Sequence, residues 1–419
     1  MGRHTHLFIA IRGNSRGEWK MKFLFASDSF KGTLSSRRTA ELLTQAAGEI
    51  FPDCGCGFVE MADGGEGTVD AVLSAAGGHK RTINVHDPLG RIIRASYGVL
   101  RDKTAVIEMA AASGLTLVPP GLRDPRRTTS FGTGELIADA LAAGCRKIAV
   151  AIGGSATNDG GTGCMQALGV RFLDENGREL PGLCITETAG SAPGFCTGAD
   201  LAQIRSIDLT GINPLIRDTE FTIMCDVTNP LCGENGATYT FGKQKGGTPE
   251  ILNELESGMR NYRDLLLRHS GVNPDEVPGA GAAGGLGAAL TVFLKGKMKS
   301  GIETVLDLTG FDEKLADVDL VITGEGRADG QSVCGKVMQG VGLRCRKYGI
   351  PAVAIVGSMG AGAEALFDCG IESIITTVNG IMPLEEALER AEELYLGAAR
   401  RMFRMLRAGH LSSRGIAAR

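Results

Sequence analysis

The sequence predicts an α/β protein in which a doubly wound parallel-sheet domain, built from the two ends of the chain, is interrupted by a second α/β domain with a mixed sheet. Three observations carry that expectation. Short apolar runs alternate with helix-like segments at both ends of the chain, the rhythm of strands joined by crossover helices. Residues 81 to 109 break the rhythm with three β-rich runs separated only by turns; with no room for crossovers, these runs must pair antiparallel. The 61 glycines among 419 residues, roughly double the average share, follow no collagen-like period and read as tight strand-to-helix turns.

In chain order, Lys22 to Ala26 reads as a strand, Ser35 to Glu49 as a helix with Ser35 and Ser36 as candidate N-caps, and Phe58 to Met61 as a second strand. The β-rich runs are Thr82 to Val85, Ile92 to Leu100 and Thr104 to Glu108, parted by Asp87-Pro88-Leu89-Gly90 and Arg101-Asp102-Lys103. A helix at Gly134 to Ala143 leads to the apolar run Ile148 to Ile152. Residues 174 to 215, rich in Gly, Pro, Thr and Asp, carry no clear pattern. Phe221 to Cys225 is a further apolar run, and Pro249 to Arg268 a long helix. From Gly281 the alternation is regular: a helix to Leu294, strands at Asp319 to Thr323, Pro351 to Val356 and Ile371 to Thr376, and helices at Lys336 to Tyr348 and Leu384 to Leu406. The doubly wound domain is thus expected over 21–62 and 286–408 and the insertion over 63–285, with tails at 1–20 and 409–419. Leu7 to Ile11 is too short for a signal peptide, and Met21, directly before the first strand, is the expected functional start.

Composition removes several function classes. A net charge of −4, 5% aromatic residues and no long basic tract argue against a nucleic-acid surface. No apolar stretch reaches the ~20 residues of a membrane span. The eleven cysteines are scattered; Cys54 and Cys56 are close, but no second pair or nearby His completes a zinc site. Reduced thiols and a cytoplasmic setting follow. With no Gly-x-Ser-x-Gly elbow and six unpaired His, hydrolase and zinc chemistries fall away.

The segment KIAVAIGGSATNDGGTGCMQAL at 147–168 carries the chemistry. A strand breaks into a loop with Gly153, Gly154, Ser155, Asn158, Asp159, Gly160 and Gly161, then resumes as a helix. Glycines let backbone N–H groups close on an anion, and a helix N-terminus adds partial positive charge. The acid within the loop suggests a metal ion or a reacting hydroxyl nearby. Other apolar runs also end in acids: Asp28, Asp63, Asp226 and Glu325. In open α/β sheets, ligands bind beyond the carboxyl ends of strands. For any one of these acids, capping the next helix is an equal reading; together they favour a metal and acid/base site. Lys31, Lys245, Arg327 and Lys336 stand beside Gly and Asp in turns, placed either for solvation or for neutralising an anionic substrate.

Two fingerprints match imperfectly. Gly279 to Gly284 fits G-x-G-x-x-G, yet follows turn residues where a dinucleotide site needs a strand; Gly281 and Gly284 read better as close packing, with a ligand nearby as an option. Gly330 to Lys336 fits G-x-x-x-x-G-K, but Val337 replaces the magnesium-holding Ser or Thr.

Taken together, SDSFKGTLSS, ADGGEGT, IEMAAASGL, TTSFGTGEL, GGSATNDGGTG, CDVTNPLCGENGA, FGKQKG, PGAGAAGGLGAAL and TGEGRADGQSVCGKV resemble the type 1 glycerate kinase family, from about Met21 to the C-terminal helix. The resemblance implies a flavodoxin-like domain interrupted by a second α/β domain, and ATP- and Mg2+-dependent phosphorylation of D-glycerate, usually to 2-phosphoglycerate. Phosphoryl transfer needs charge neutralisation and a positioned hydroxyl. On that basis Asp226 or Asp159 would activate the hydroxyl, and Asp28, Asp63 and Glu325 would hold magnesium. Lys31, Lys245 and Arg327 would clamp carboxylate or phosphates, with Lys336 a further phosphate ligand. The 153–161 loop would cradle a phosphate or the carboxylate, with Asn229, Gly281 and Gly284 as further substrate- or phosphate-binding residues. D-glycerate and ATP are then the partners, without nucleic acid or membrane, and a homodimer is kept open as the assembled state. Two other readings stand beside it: a dinucleotide-dependent oxidoreductase of a small hydroxy acid, and a non-catalytic metabolite-binding module.

Overall fold

In the computed structural model, residues 20–417 are described, apart from 31, 63, 66, 181–193 and 334, with side chains to residue 409. The expected leading tail, Lys31 and Asp63 therefore lie outside the described residues. In chain order the elements that position the site are strands β1 (Lys22–Phe25), β2 (Gly55–Phe58), β3 (Gly78–His86), β4 (Ile92–Leu100), β5 (Thr104–Glu108), β6 (Lys147–Ala151), β7 (Glu220–Met224), β8 (Lys297–Lys299), β9 (Leu320–Thr323), β10 (Ala352–Val356) and β11 (Ile371–Thr376). The helices are α1 (Ser36–Ile50), α2 (Thr68–Ala76), α3 (Phe131–Ala142), α4 (Thr162–Ala167), α5 (Pro249–Ser270), α6 (Leu286–Leu294), α7 (Gly301–Leu308), α8 (Val337–Tyr348) and α9 (Ala391–Ala417).

The chain divides into two units, one from residues up to Met61 with those from Leu306 on, the other Ala62–Val305. In the first, a five-stranded sheet has the order β11-β10-β9-β1-β2 with every pair parallel. The Ser35 side chain accepts from the Arg38 N–H at 3.1 Å and so caps α1. Phe23, Phe25 and Leu43 are buried with Tyr395 and Phe403 of α9, the Phe23 and Phe403 rings 5.0 Å apart. Burial of such rings dominates core energetics.

In the second unit the order is β8-β7-β6-β5-β4-β3. The pairs β3–β4 and β4–β5 are antiparallel, whereas β5–β6, β6–β7 and β7–β8 are parallel. The β3–β4 turn is fixed by Asp87, whose Oδ1 accepts from the N–H of Leu89 and of Arg91, each at 2.9 Å.

Three details differ from the sequence expectation. The second strand is Gly55–Phe58, upstream of Phe58–Met61, because parallel pairing with β1 decides it against the poor β-propensity of GCGF. The helix expected from Gly281 begins at Leu286, since Ala283, Gly284 and Gly285 take left-handed backbone angles. The return to the first unit falls at 305/306, later than the expected 285/286, because α6 joins the second unit's core and β8 pairs with β7. The backbone of α9 continues to Ala417, through most of the expected C-terminal tail.

Candidate active site

Strands β6 and β7 run side by side and end together, Ala151 opposite Met224. Beyond them, within the second unit, opens a cavity of about 350 Å³. Gly64, Gly65, Gly153, Gly154, Ser155, Asp226, Gln244, Ala282 and Ala283 are among its lining residues. Gly154 has φ +75°, a turn that L side chains resist, and its carbonyl accepts from the Leu115 N–H at 2.9 Å. That anchors the loop from outside. The amides of Gly153, Gly154 and Ser155 have no acceptor among the described residues, and all three residues line the cavity. Free amides on successive residues of a turn suit an anion.

The loop's remaining side chains turn inward. Lys245 is 2% exposed; its Nζ lies 2.8 Å from Ser155 Oγ and 2.6 Å from the Thr157 carbonyl. Burial pushes the lysine down from its ordinary value to about 7, with Asp159 pulling the other way. Asp159 is fully buried. Its Oδ2 accepts from the Ser130 N–H at 2.8 Å, the Ser130 hydroxyl at 2.7 Å and the Gly163 N–H at 3.3 Å, and its Oδ1 from the Gly161 N–H at 3.0 Å. Desolvation pushes this carboxyl up, against the pull of those donors. Lys245 and Asp159 thus sit behind the loop rather than among the cavity-lining residues.

The glycines of the dinucleotide-like fingerprint pack on protein backbone. A 3-10 turn at Pro274–Glu276, not a strand, precedes them. A Cβ on Gly284 would stand 2.0 Å from the Thr157 carbonyl oxygen, while the Gly284 carbonyl accepts from the Gly160 N–H at 2.9 Å. A Cβ on Gly281 would meet the Pro230 carbonyl oxygen at 2.1 Å, and the Gly281 N–H donates to the Asn229 carbonyl at 3.0 Å. The Asn229 amide donates to the Asn235 carbonyl at 2.8 Å. Asn158 donates to Thr238 Oγ1 at 3.1 Å. These residues brace the loop against the segment after β7.

Asp226, by contrast, is exposed and lines the cavity. Its Oδ1 accepts from the Gly301 N–H at 2.9 Å, at the first residue of α7, which orients the carboxylate and places it where the helix dipole favours negative charge.

The remaining described candidates belong to the first unit. The Asp28 N–H donates to the Gly324 carbonyl at 2.9 Å, so Asp28 and Glu325 leave neighbouring strand ends. Asp28 Oδ1 accepts from the Ser29 N–H at 2.7 Å, and buried Glu325 accepts from the Ser332 hydroxyl through Oε1. Arg327, its side chain 68% exposed, lies 3.4 Å from Asp329. Lys336 occupies the N-cap position of α8. The Gly335 N–H donates to Gln339 Oε1 at 2.7 Å, so the turn's amide is already satisfied by the following helix, unlike a phosphate-cradling P-loop.

Asp28 and Glu325 offer the hard oxygen donors that magnesium takes. Among the described residues no three His, Cys, Asp or Glu side chains gather as a metal cluster. One or two carboxylates suffice for magnesium that keeps its waters and binds phosphate oxygens, so this donor set fits.

Five contributing residues escape the sequence reading. Gly64 and Gly65, in the DGGEGT echo of the main loop, line the cavity. Ser130, in TTSFGTGEL, holds Asp159. Gln244 lines the cavity between two lysines. Ala283, with φ +54°, is a strained non-glycine position on the cavity wall.

This architecture has close counterparts. The chain is 44% identical over 390 residues to glycerate 2-kinase of Escherichia coli K12, covering 93% of this chain and 99% of that one. It is 42% identical over 378 residues to glycerate kinase of Halalkalibacterium halodurans, covering 90% and 96% respectively. Its fold matches the crystal structure of a protein designated glycerate kinase 2 from Salmonella typhimurium LT2, with a TM-score of 0.81 and 42% identity, over 94% of this chain and all of the other. The model of the glycerate kinase family matches residues 23–407. With a glycine-rich loop and an oriented acid at the ends of adjacent parallel strands, and with these matches along nearly its whole length, the chain belongs to the glycerate kinase family.

Proposed function

We propose that this protein phosphorylates D-glycerate with ATP at the 2-hydroxyl, giving 2-phospho-D-glycerate and ADP. Family membership supports the kinase reading, and the relative named glycerate 2-kinase supports the choice of C2. The observation that carries it is one cavity lined both by the amides of Gly153, Gly154 and Ser155 and by the carboxylate of Asp226. The amides would hold the glycerate carboxylate, and Asp226 would orient the acceptor hydroxyl, which is most of what phosphoryl transfer asks of a protein. ATP supplies the phosphoryl group, and magnesium would neutralise its charge from Asp28, Asp63 and Glu325. Lys31, Arg327 and Lys336 would take phosphate oxygens. Lys245 and Asp159 would keep the loop in shape from behind. Among the described residues no helix is long and apolar enough to cross a membrane, and a cytoplasmic site of action suits an ATP consumer.

The test is purified protein with ATP, magnesium and D-glycerate, following ADP release and reading the product by phosphorus and proton NMR. Glycerate-dependent ADP with phosphate on C2 is expected. No glycerate-dependent ADP from folded protein would overturn the kinase reading, and phosphate on C3 would overturn the regiochemistry alone.

A further inference from the structure

Behind the loop lies a hydroxyl–amine pair whose contact a loop-shaping role for Lys245 alone does not explain. Ser155 lines the cavity while only 8% exposed, and Lys245 Nζ lies 2.8 Å from its Oγ. Among the described residues Lys245 does not line the cavity, whereas Ser155, to which it is bonded, does; its other hydrogen bond goes to the Thr157 carbonyl. A cation meant to grip an anionic substrate gains nothing from being walled off by a serine. A base meant to receive a proton through that serine needs this arrangement.

We infer that Ser155 and Lys245 form a proton relay for the acceptor hydroxyl, Ser155 Oγ taking its proton while passing its own to Lys245 Nζ. The inference rests on the kinase reading. As the acceptor O–H bond breaks, the new O–P bond forms and the electron pair of the broken P–O bond leaves with ADP. The proton ends on Lys245, turning a neutral amine into an ammonium, and returns to solvent before the next turnover. Lys245 Nζ donates to the Thr157 carbonyl and lies in donor position toward Ser155 Oγ; in the relay the amine is neutral before the reaction, and the second contact reverses, the Ser155 hydroxyl donating to it. Burial favours the neutral form at rest: it disfavours charge and pushes the amine down to about 7. Asp159 is the charged group acting on it, and favours the ammonium, which helps the relay receive its proton. Lys243, on the same turn, is exposed.

The relay and a clamping ammonium predict opposite pH dependences. A relay fails when Lys245 is already protonated, so turnover falls as pH drops through about 7. A clamp fails when the charge is lost, so activity falls as pH rises through the same value. The experiment is kcat and KM against pH for wild type, S155A, S155T and K245Q, with circular dichroism to confirm folding. The expected result is an acid limb in wild type and S155T. In S155A and K245Q the limb should be absent and the plateau kcat lower by about 100-fold, the scale of general acid–base catalysis, with KM within about threefold. An acid limb that persists in S155A, a kcat for S155A within about threefold of wild type, or a wild-type loss on the alkaline side that K245Q removes would each overturn the relay. If K245Q does not fold, the S155A and S155T pair decides. Wild type without phosphoglycerate product would overturn the kinase reading and the relay with it; a productive wild type with any contrary variant result would overturn the relay alone.

Discussion

The turns after β6 and after β9 are built from similar parts and finished differently. Each follows an interior parallel strand, is rich in glycine, and carries an acid and a nearby cation. After β6 the polar side chains face backward. Asp159 is held by four donors and Lys245 is sealed under Ser155, so the loop presents backbone amides to the cavity. After β9 the acid Glu325 is also buried, but Arg327 projects outward beside Asp329. One turn is shaped before any ligand arrives, at the cost of burying charge. The other keeps its cation solvated. Preorganisation is thus concentrated where the small substrate would sit.

Four experiments would sharpen or break this contrast. The largest effect is expected from Asp226→Asn, which tests chemistry without architecture. Turnover should fall about 100- to 1000-fold, roughly 3 to 4 kcal/mol of barrier, with Tm within about 2 °C of wild type, since the residue is exposed and the amide can still accept from Gly301. Near-normal turnover would remove Asp226 from the mechanism. Next, Asp159→Asn turns an amide donor toward a backbone N–H and should cost about 2 to 3 kcal/mol of stability, or roughly 4–12 °C in Tm by calorimetry. An unchanged Tm would mean the β6 loop is not braced as described.

The third concerns pH. The Lys245 amine has a folded-state pKa near 7, below its ordinary 10.5. Between those values the unfolded chain binds the extra proton, so this residue's contribution makes stability rise with pH. The Tm of wild type minus that of Lys245→Met should therefore increase from pH 7 to pH 10; a flat difference would mean the lysine is hydrated. The smallest effect belongs to Arg327→Ala, with KM for nucleotide raised about threefold to tenfold and Tm within about 1 °C, as for an exposed ion pair. A Tm loss matching that of Asp159→Asn would erase the distinction between the turns.

Much of this was legible in the residues because local and tertiary demands agree. Ile371–Thr376 has the expected bounds, and β4 and β5 likewise, their turns marked by Asp, Gly and Lys. The acids at strand ends were legible because parallel strands deliver their carboxyl ends to one edge. Burial was not. FGKQKGG reads as a solvated turn, and only the tertiary approach of the 155–157 backbone seals Lys245 inside it. The donors that cap Asp159 include Ser130, which no local spacing connects to it. The literal G-x-G-x-x-G marked a real need for missing side chains, but the space goes to the Thr157 and Pro230 carbonyls.

The pairing of β1 with β9 has a consequence for synthesis on the ribosome. Ala26 donates to the carbonyl of Ile322, a residue made almost three hundred positions later. At about 5–20 residues per second, β1 and α1 wait roughly 15–60 s for the strand that places them inside their sheet. Meanwhile every strand of the inserted unit has already been made. The earliest-made of these strands thus belongs to a sheet completed only after the inserted unit, and the apolar face of Phe23 and Phe25 must be kept from wrong partners through that interval. Sequence changes that expose this face more strongly would first lower the yield of folded protein, before any effect on the finished enzyme.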